Sequence, residues 1–388
     1  MTNRDKFGYQ PIPLCDGHIH ITFAHPVDTT VKILDDTMTW YDCERIAILG
    51  LQQDSKNTAD PGNNLKALYC KSRLNETYPD RRVYAFSGIY HYYDARDTAE
   101  GYLAQAKALW EMGFDGVKIL DGKPKMRKNL GRRLDDPIFD PFYAYLQEHD
   151  IPVTMHLGDP PEYWDINKIS EYALKVGWYC DETYPTLEEM RGEVLGILDK
   201  FPRLRLTMAH FFFLSQNLEA CADLFTRYPT LCFDLTPGGE MFENFSKRPD
   251  DWRAFFIRFA DRISLGTDTY NYDLHDTLSD YGNGADLART NLVRKCLEWT
   301  EPFAHPWYGT LIPLALDTDT LTKIYRGNFL RRLGEVRAVN FSAAADNLAE
   351  MRKLHDSGVL CGDTEESKLL ERQNFDTMMT YFQKGNDQ

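Results

Sequence analysis

The stretch Gly116 to His156, "GVKILDGKPKMRKNLGRRLDDPIFDPFYAYLQEHDIPVTMH", reads as a strand, a charged connection, a helix and a second strand. Gly116 to Leu120 and Ile151 to His156 are short apolar and β-branched runs. "DPFYAYLQEHD" between them has helical spacing, with Asp140 expected as N-cap and Pro141 at the first helical position. Strands joined through a helix run parallel, because parallel neighbours need a crossover connection.

The unit recurs along the chain. Runs at Leu14 to His20, Arg45 to Gly50, Val83 to Tyr90, Leu204 to His210, Leu231 to Leu235 and Ile263 to Asp268 bring the expected strands to eight, each followed by a helical segment. In "DTAEGYLAQAKALWEMG" Gly113 stands where a left-handed C-terminal cap is needed. Thr186 to Glu189 fits a capping box, and Ser215 is placed to cap the helix carrying Leu218, Cys221 and Leu224.

Eight alternations predict an α/β chain whose parallel sheet closes into a (β/α)8 TIM barrel. A doubly wound open sheet is disfavoured, since no glycine-rich fingerprint follows any strand. The longest interval, between the fifth and sixth strands, leaves a loop over 158–185. The barrel is expected over residues 1–334, closed by the helix "DTDTLTKIYRGNFLRRLG", with 335–388 as a C-terminal helical extension packing on it. Beyond Leu348, Met351 and Leu354 that extension shows no sustained apolar face.

Among the 388 residues, 59 acidic against 44 basic side chains give a formal charge of −15, which opposes nucleic acid and anionic lipid as partners. "MTNRDKFGYQPIPL" has no long apolar core and no run approaches a membrane span, so a soluble, cytoplasmic protein is expected. The cysteines are scattered without CxxC pairs, which predicts reduced thiols, several of them buried.

The residues ending the strands carry the chemistry, because in this fold they converge on one mouth. They are His18 and His20 on the first strand, Lys118 on the fourth, His156 on the fifth, His210 on the sixth and Asp268 on the eighth. His18 and His20, two apart, share one face of their strand, and Ile19 points outward. A lone histidine at a strand end is more often a hydrogen-bonded structural residue. Four of the ten histidines ending strands, with an aspartate ending the last, are instead the donors of a metal site: neutral imidazoles plus one hard carboxylate.

"DGHIH", "GVKIL", "MHLG", "MAH" and "GTDT", in that order and followed by "IYRGNFLRRL", resemble the amidohydrolase superfamily, and within it the amidohydrolase-related, decarboxylase-like group, between residues 12 and 334. The resemblance implies a divalent metal, usually zinc with manganese as the alternative, bound by His18, His20 and His156. Asp268 would be a ligand that also handles a proton. His210 in such families binds a second metal or polarises the substrate. Lys118 is either carbamylated to bridge two ions or contacts substrate; with no second carboxylate in view to support a bridge, one metal is expected.

A water activated by that metal would attack an amide, ester or lactone, with Asp268 as general base and His210 or Lys118 stabilising the oxyanion. Substrate contacts are expected from Lys118, Tyr90, Trp164 and Arg127. Tyr90 ends the third strand and Trp164 lies in the fifth loop, where rings either wall an apolar pocket or pack as a lid. Arg127 stands in "DGKPKMRKNLGRRLDD", a basic run that is either a solvated face or a site for a substrate carboxylate. His25 and His275 lie just beyond the first and eighth strands and are candidates for the mouth. "FFFL" and "RAFFIRFA" belong to the core or to the face of a homodimer.

The leading expectation is a metal-dependent hydrolase of a small, carboxylated molecule. A non-oxidative decarboxylase of a small or aromatic carboxylic acid is the alternative; "MAHFFF", without small or acidic residues after the histidine, disfavours it. A non-enzymatic barrel is disfavoured because every expected position is filled.

Overall fold

The computed structural model describes every residue except 1, 23–24, 52–61, 79, 92, 238–239, 271–288, 360 and 385–388. Nine strands form one parallel sheet: β1 (Leu14–His20), β2 (Cys43–Leu49), β3 (Arg82–Gly88), β4 (Gly116–Gly122), β5 (Val153–Leu157), β6 (Leu206–Met208), β7 (Cys232–Asp234), β8 (Ile263–Ser264) and β9 (Thr269–Tyr270). Neighbours follow chain order from β1 to β8, while β9 lies on the other side of β1, with Ile19 opposite Thr269 and His20 opposite Tyr270.

β8 and β9 are therefore two pieces of one strand, and the sheet closes between them. The segment joining them spans the seam: Gly17 N–H donates to Leu265 O at 3.0 Å and Asp268 N–H to His18 O at 2.8 Å. This is the expected (β/α)8 barrel.

Strand alternation divides the core in two. Ile46, Ile48, Val83, Ala85, Val117 and Ile119 face outward and pack with helix residues such as Leu68, Val194 and Ile197. Cys15, Ala47, Leu49, Tyr84 and Phe86 fill the lumen, plugged by Phe329 from the helix Asn328–Leu333, whose ring meets Tyr84 edge-on at 5.1 Å. The lower barrel is thus packed solid, and the polar strand ends stand above it.

Local signals hold where the partners are near in sequence. Thr186 Oγ accepts the Glu189 N–H at 3.1 Å while Glu189 Oε2 accepts the Thr186 N–H at 2.8 Å. Gly113 has φ +98° just past the helix Ala99–Glu111, and a Cβ there would run into Ala338 O. All eight cysteines are free and seven are buried.

Other readings need correction. Asp140 is not an N-cap: Asp136 caps a 3-10 turn, Pro137–Phe139, that runs directly into the helix, so Asp140 is already helical and its carboxylate pairs with Lys200 at 2.9 Å. Asn217, not Ser215, caps the helix Leu218–Arg227; buried Ser215 instead accepts from Asn244 at 3.0 Å. The sixth strand ends at Met208, before His210, and the eighth is interrupted over 265–268. The C-terminal extension forms two helices, Phe341–Asp356 and Glu365–Lys384, and the second has an apolar face after all, burying Phe375, Met378 and Phe382. The phenylalanine runs are core: Phe211 stacks on Phe256 with centroids 5.8 Å apart, both buried. No helix among the described residues is long and apolar enough to cross a membrane.

Candidate active site

β1 delivers His18 and His20 to the barrel mouth, both buried, with their Nε2 atoms 3.1 Å apart. The far side of each ring is fixed. His18 Nδ1–H donates to Asp234 Oδ2 at 2.8 Å, and His20 Nδ1–H donates to the Leu49 carbonyl at 2.8 Å. Both Nε2 lone pairs are thereby turned towards one point, the arrangement that outer hydrogen bonds impose on metal-binding histidines.

Asp268 completes the point. Its Oδ1 lies 3.5 Å from His18 Nε2 and 3.2 Å from His20 Nε2. Metal–ligand bonds of about 2.0–2.2 Å in a tetrahedral site separate neighbouring donors by about 3.4 Å. Three donors at 3.1, 3.2 and 3.5 Å fit a single divalent ion. Among the described residues, this is the one group of three or more such side chains whose donor atoms all lie within 4.8 Å of one another.

The charges agree with that reading. Burial alone would raise the Asp268 carboxyl, but Arg289, whose Nη1 sits 2.7 Å from Oδ2, and then His20 and His18 hold it well below the carboxylate range. Burial, and then Lys118, depresses His18 to about 4, so its imidazole is neutral. Burial would also raise Asp234, yet His18 pulls it to about 2 and keeps it an acceptor.

His156 and His210 form an adjoining pair. His156 Nε2–H donates to the Gly158 carbonyl at 2.8 Å, which leaves its Nδ1 to accept from His210 Nε2 at 3.0 Å. The His210 ring lies 5.9 Å from that of His18, centroid to centroid. Burial drives both His156 and His210 below the usual imidazole range. His210 reaches this place on a left-handed backbone, φ +55°, which continues through Phe213; Asp268 also has φ +55°. Non-glycine residues held so cost on the order of 1–3 kcal/mol each and cluster at functional sites. The Asp234 carboxylate and the Thr236 hydroxyl, each 2.9 Å from His210 N, hold the turn.

Lys118 is 1% exposed, with Nζ 3.0 Å from His18 Nε2, and burial lowers it to about 8. Its amine borders the cluster. The other expected substrate contacts have partners of their own. The Arg127 guanidinium is engaged by both oxygens of buried Glu193 at 2.8 Å. Its neighbours are likewise paired: Arg132 with Asp97, Arg133 with Asp135, Lys123 with Asp159, and Lys128 with Thr183. Trp164 Nε1 donates to Pro185 O at 3.1 Å, tying the fifth loop to itself, and the Tyr90 backbone is clamped by the Gln105 amide. His275 lies outside the described residues.

Asp234 and Arg289 escaped sequence reading. Asp234 ends "LCFD" on the seventh strand, so its position at a strand end was a usable signal. Arg289 follows the eighth strand at a distance and carried none.

A parallel barrel whose strand ends gather two histidines and a carboxylate on one point defines an enzyme class built around a divalent metal. The family model described as amidohydrolase matches residues 86–334, more than half of the chain. The chain belongs to the amidohydrolase family, an enzyme family that is metal-dependent. The matched span contains Lys118, His156, His210 and Asp268; His18 and His20 precede it.

Among solved structures, an uncharacterized TIM-barrel protein from Bordetella bronchiseptica is 15% identical, covering 84% of this chain and 100% of that one, with TM-score 0.49. A dihydroxybenzoic acid decarboxylase from Polaromonas, with bound manganese and the inhibitor 2-nitroresorcinol, is 14% identical over 84% and 98% of the two chains, with TM-score 0.49. A 4-oxalomesaconate hydratase from Rhodopseudomonas palustris is 11% identical over 89% and 99%, with TM-score 0.46. No curated protein matches the chain.

Proposed function

We propose that this enzyme hydrolyses an amide, ester or lactone of a small molecule, using a water activated at the His18–His20–Asp268 cluster. The observation that carries the reading is the convergence of two oriented Nε2 lone pairs and one ionised carboxylate oxygen on a single point. His18, His20 and Asp268 would hold one zinc or manganese ion; His156 would join them as a fourth donor only by releasing the bonds that its two nitrogens make to Gly158 and His210. When bound, such an ion supplies Lewis acidity that lowers the pKa of water from about 15.7 to about 7.

The protein's own groups then divide the work. Arg289 occupies Oδ2 of Asp268, leaving Oδ1 to face the cluster and take the proton of the attacking water. The same carboxyl returns that proton to the leaving group. Lys118 stands where it can stabilise negative charge developing on the substrate oxygen, and His210 would join it on releasing its Nε2–H from His156.

Lys118 also favours a second reading. A buried amine at the heart of the cluster can hold a substrate carboxylate, as non-oxidative decarboxylation requires. The test is product analysis on metal-loaded protein, with panels of lactones, esters, amides and carboxylic acids in water enriched in heavy oxygen. Solvent oxygen in the product supports hydrolysis. Carbon dioxide release without oxygen incorporation overturns it in favour of decarboxylation.

A further inference from the structure

Glu240, in the loop after β7, is 8% exposed, and both of its carboxyl oxygens are buried without a hydrogen-bond partner among the described residues. Buried polar groups are normally paired, so an orphaned carboxyl in a loop at the barrel mouth calls for a ligand. Its surroundings deepen the anomaly. Glu162 and Asp159, from the loop after β5, are the acidic groups whose charges it feels most, ahead of Glu243 further along its own helix; Glu162 also carries a buried oxygen with no partner among the described residues. Burial, and then the charges of these carboxylates, push Glu240 up to about 7 against the lowering pull of its own backbone N–H.

Nearby cations do not relieve it. Lys123 stands 3.5 Å from Asp159, which also faces His156 Nε2 at 3.7 Å. Arg191 feels the field of Glu240 but donates through Nη2 to the Phe213 carbonyl, and among the described residues forms no ion pair with Glu240.

We propose that Glu240, supported by Glu162, binds a positively charged organic group of the substrate, an ammonium or guanidinium. A second metal ion fits less well, because Glu240, Glu162 and Asp159 do not bring oxygens within 4.8 Å of one another as the His18 cluster does. An organic cation bridges wider gaps, since its N–H groups point in several directions. Tyr163, half-buried, feels the charges of Asp159, Glu240 and Glu162, and its ring stacks with Trp178 at 5.9 Å. Aromatic faces beside carboxylates are the surroundings such a cation prefers. In the basic loop, by contrast, Lys123, Arg127, Arg132 and Arg133 are paired with Asp159, Glu193, Asp97 and Asp135, which weakens the case for a carboxylated substrate there. The assignment rests on the hydrolytic reading for the presence of a substrate here, and names its charge.

Benzylammonium, benzyl alcohol and benzoate share one ring and differ in charge. Calorimetric titration of each into the full-length protein reads binding without turnover, so its failure is distinguishable from a failure to find hydrolysis. Benzylammonium is expected to bind about tenfold more tightly than the other two, and Glu240→Gln to remove most of that preference. Glu162→Gln, at a less buried position, is expected to remove part of it should Glu240→Gln not fold. Equal binding of the three probes by the wild-type protein, tighter binding of benzoate, or an undiminished preference in a folded Glu240→Gln protein would overturn the assignment.

Discussion

Asp234 Oδ2 accepts the Nδ1 proton of His18 at 2.8 Å, joining β7 to β1 across 216 residues of chain. The bond fixes the tautomer that presents Nε2 to the cluster. Asp234→Asn can donate as well as accept, and so permits the wrong tautomer. Loss of such an outer partner costs about 10–100-fold in metal affinity. Competition against a chelator should show that loss, with the far-UV spectrum unchanged; unchanged affinity would show that Asp234 does not orient the ring.

Arg289 governs the charge of Asp268. Removing it as Arg289→Met takes away the largest of the groups that oppose burial, leaving the imidazoles and Lys118. The folded pKa of Asp268 therefore rises. Activity that needs the ionised carboxylate falls away at higher pH than in the wild type, so the acid limb of the kcat/KM profile moves upward. A limb that stays in place would assign it to another group.

The contrast between these two residues shows what the sequence could reveal. Strands β1 to β5 announce themselves as short, mainly apolar and β-branched runs, and His18, His20 and Lys118 stand out as polar residues within them. His210 is legible as a residue but not in its conformation, since "HFFF" reads as buried strand while its backbone turns left-handed. The eighth strand breaks because Leu265 bonds to both Gly17 and Ile324, a competition between elements that no local pattern encodes. Arg127 looked available because its partner Glu193 lies 66 residues away. Long-range pairing is where pattern reading ends.

One such pair lies away from the mouth. Lys71 Nζ meets Asp115 Oδ2 at 2.7 Å, both buried, and also donates to Gly113 O at 2.7 Å. Lys71→Met strands the carboxylate, and an uncompensated buried charge costs about 3–5 kcal/mol. Urea unfolding should show an unfolding free energy lower by that amount, partly recovered by adding Asp115→Asn. A loss below about 1 kcal/mol, the range of exposed pairs, would mean that water reaches Asp115.

Glu240 sets a pH dependence of its own. Its carboxyl titrates near 4.5 when exposed and near 7 in the fold, raised by burial and by Glu162 and Asp159. Between these values the folded state binds more protons than the unfolded state, so stability declines as pH rises from about 4.5 to about 7. At 1.36 kcal/mol per pKa unit the decline comes to about 3 kcal/mol. Glu240→Gln carries no such charge. It should melt above the wild type at pH 8 and converge with it at pH 4, trading a binding group for stability as active-site substitutions often do. Thermal scans across that range in the absence of ligand decide the matter, and a variant no more stable than wild type at pH 8 would show that the carboxylate is already compensated in the free enzyme.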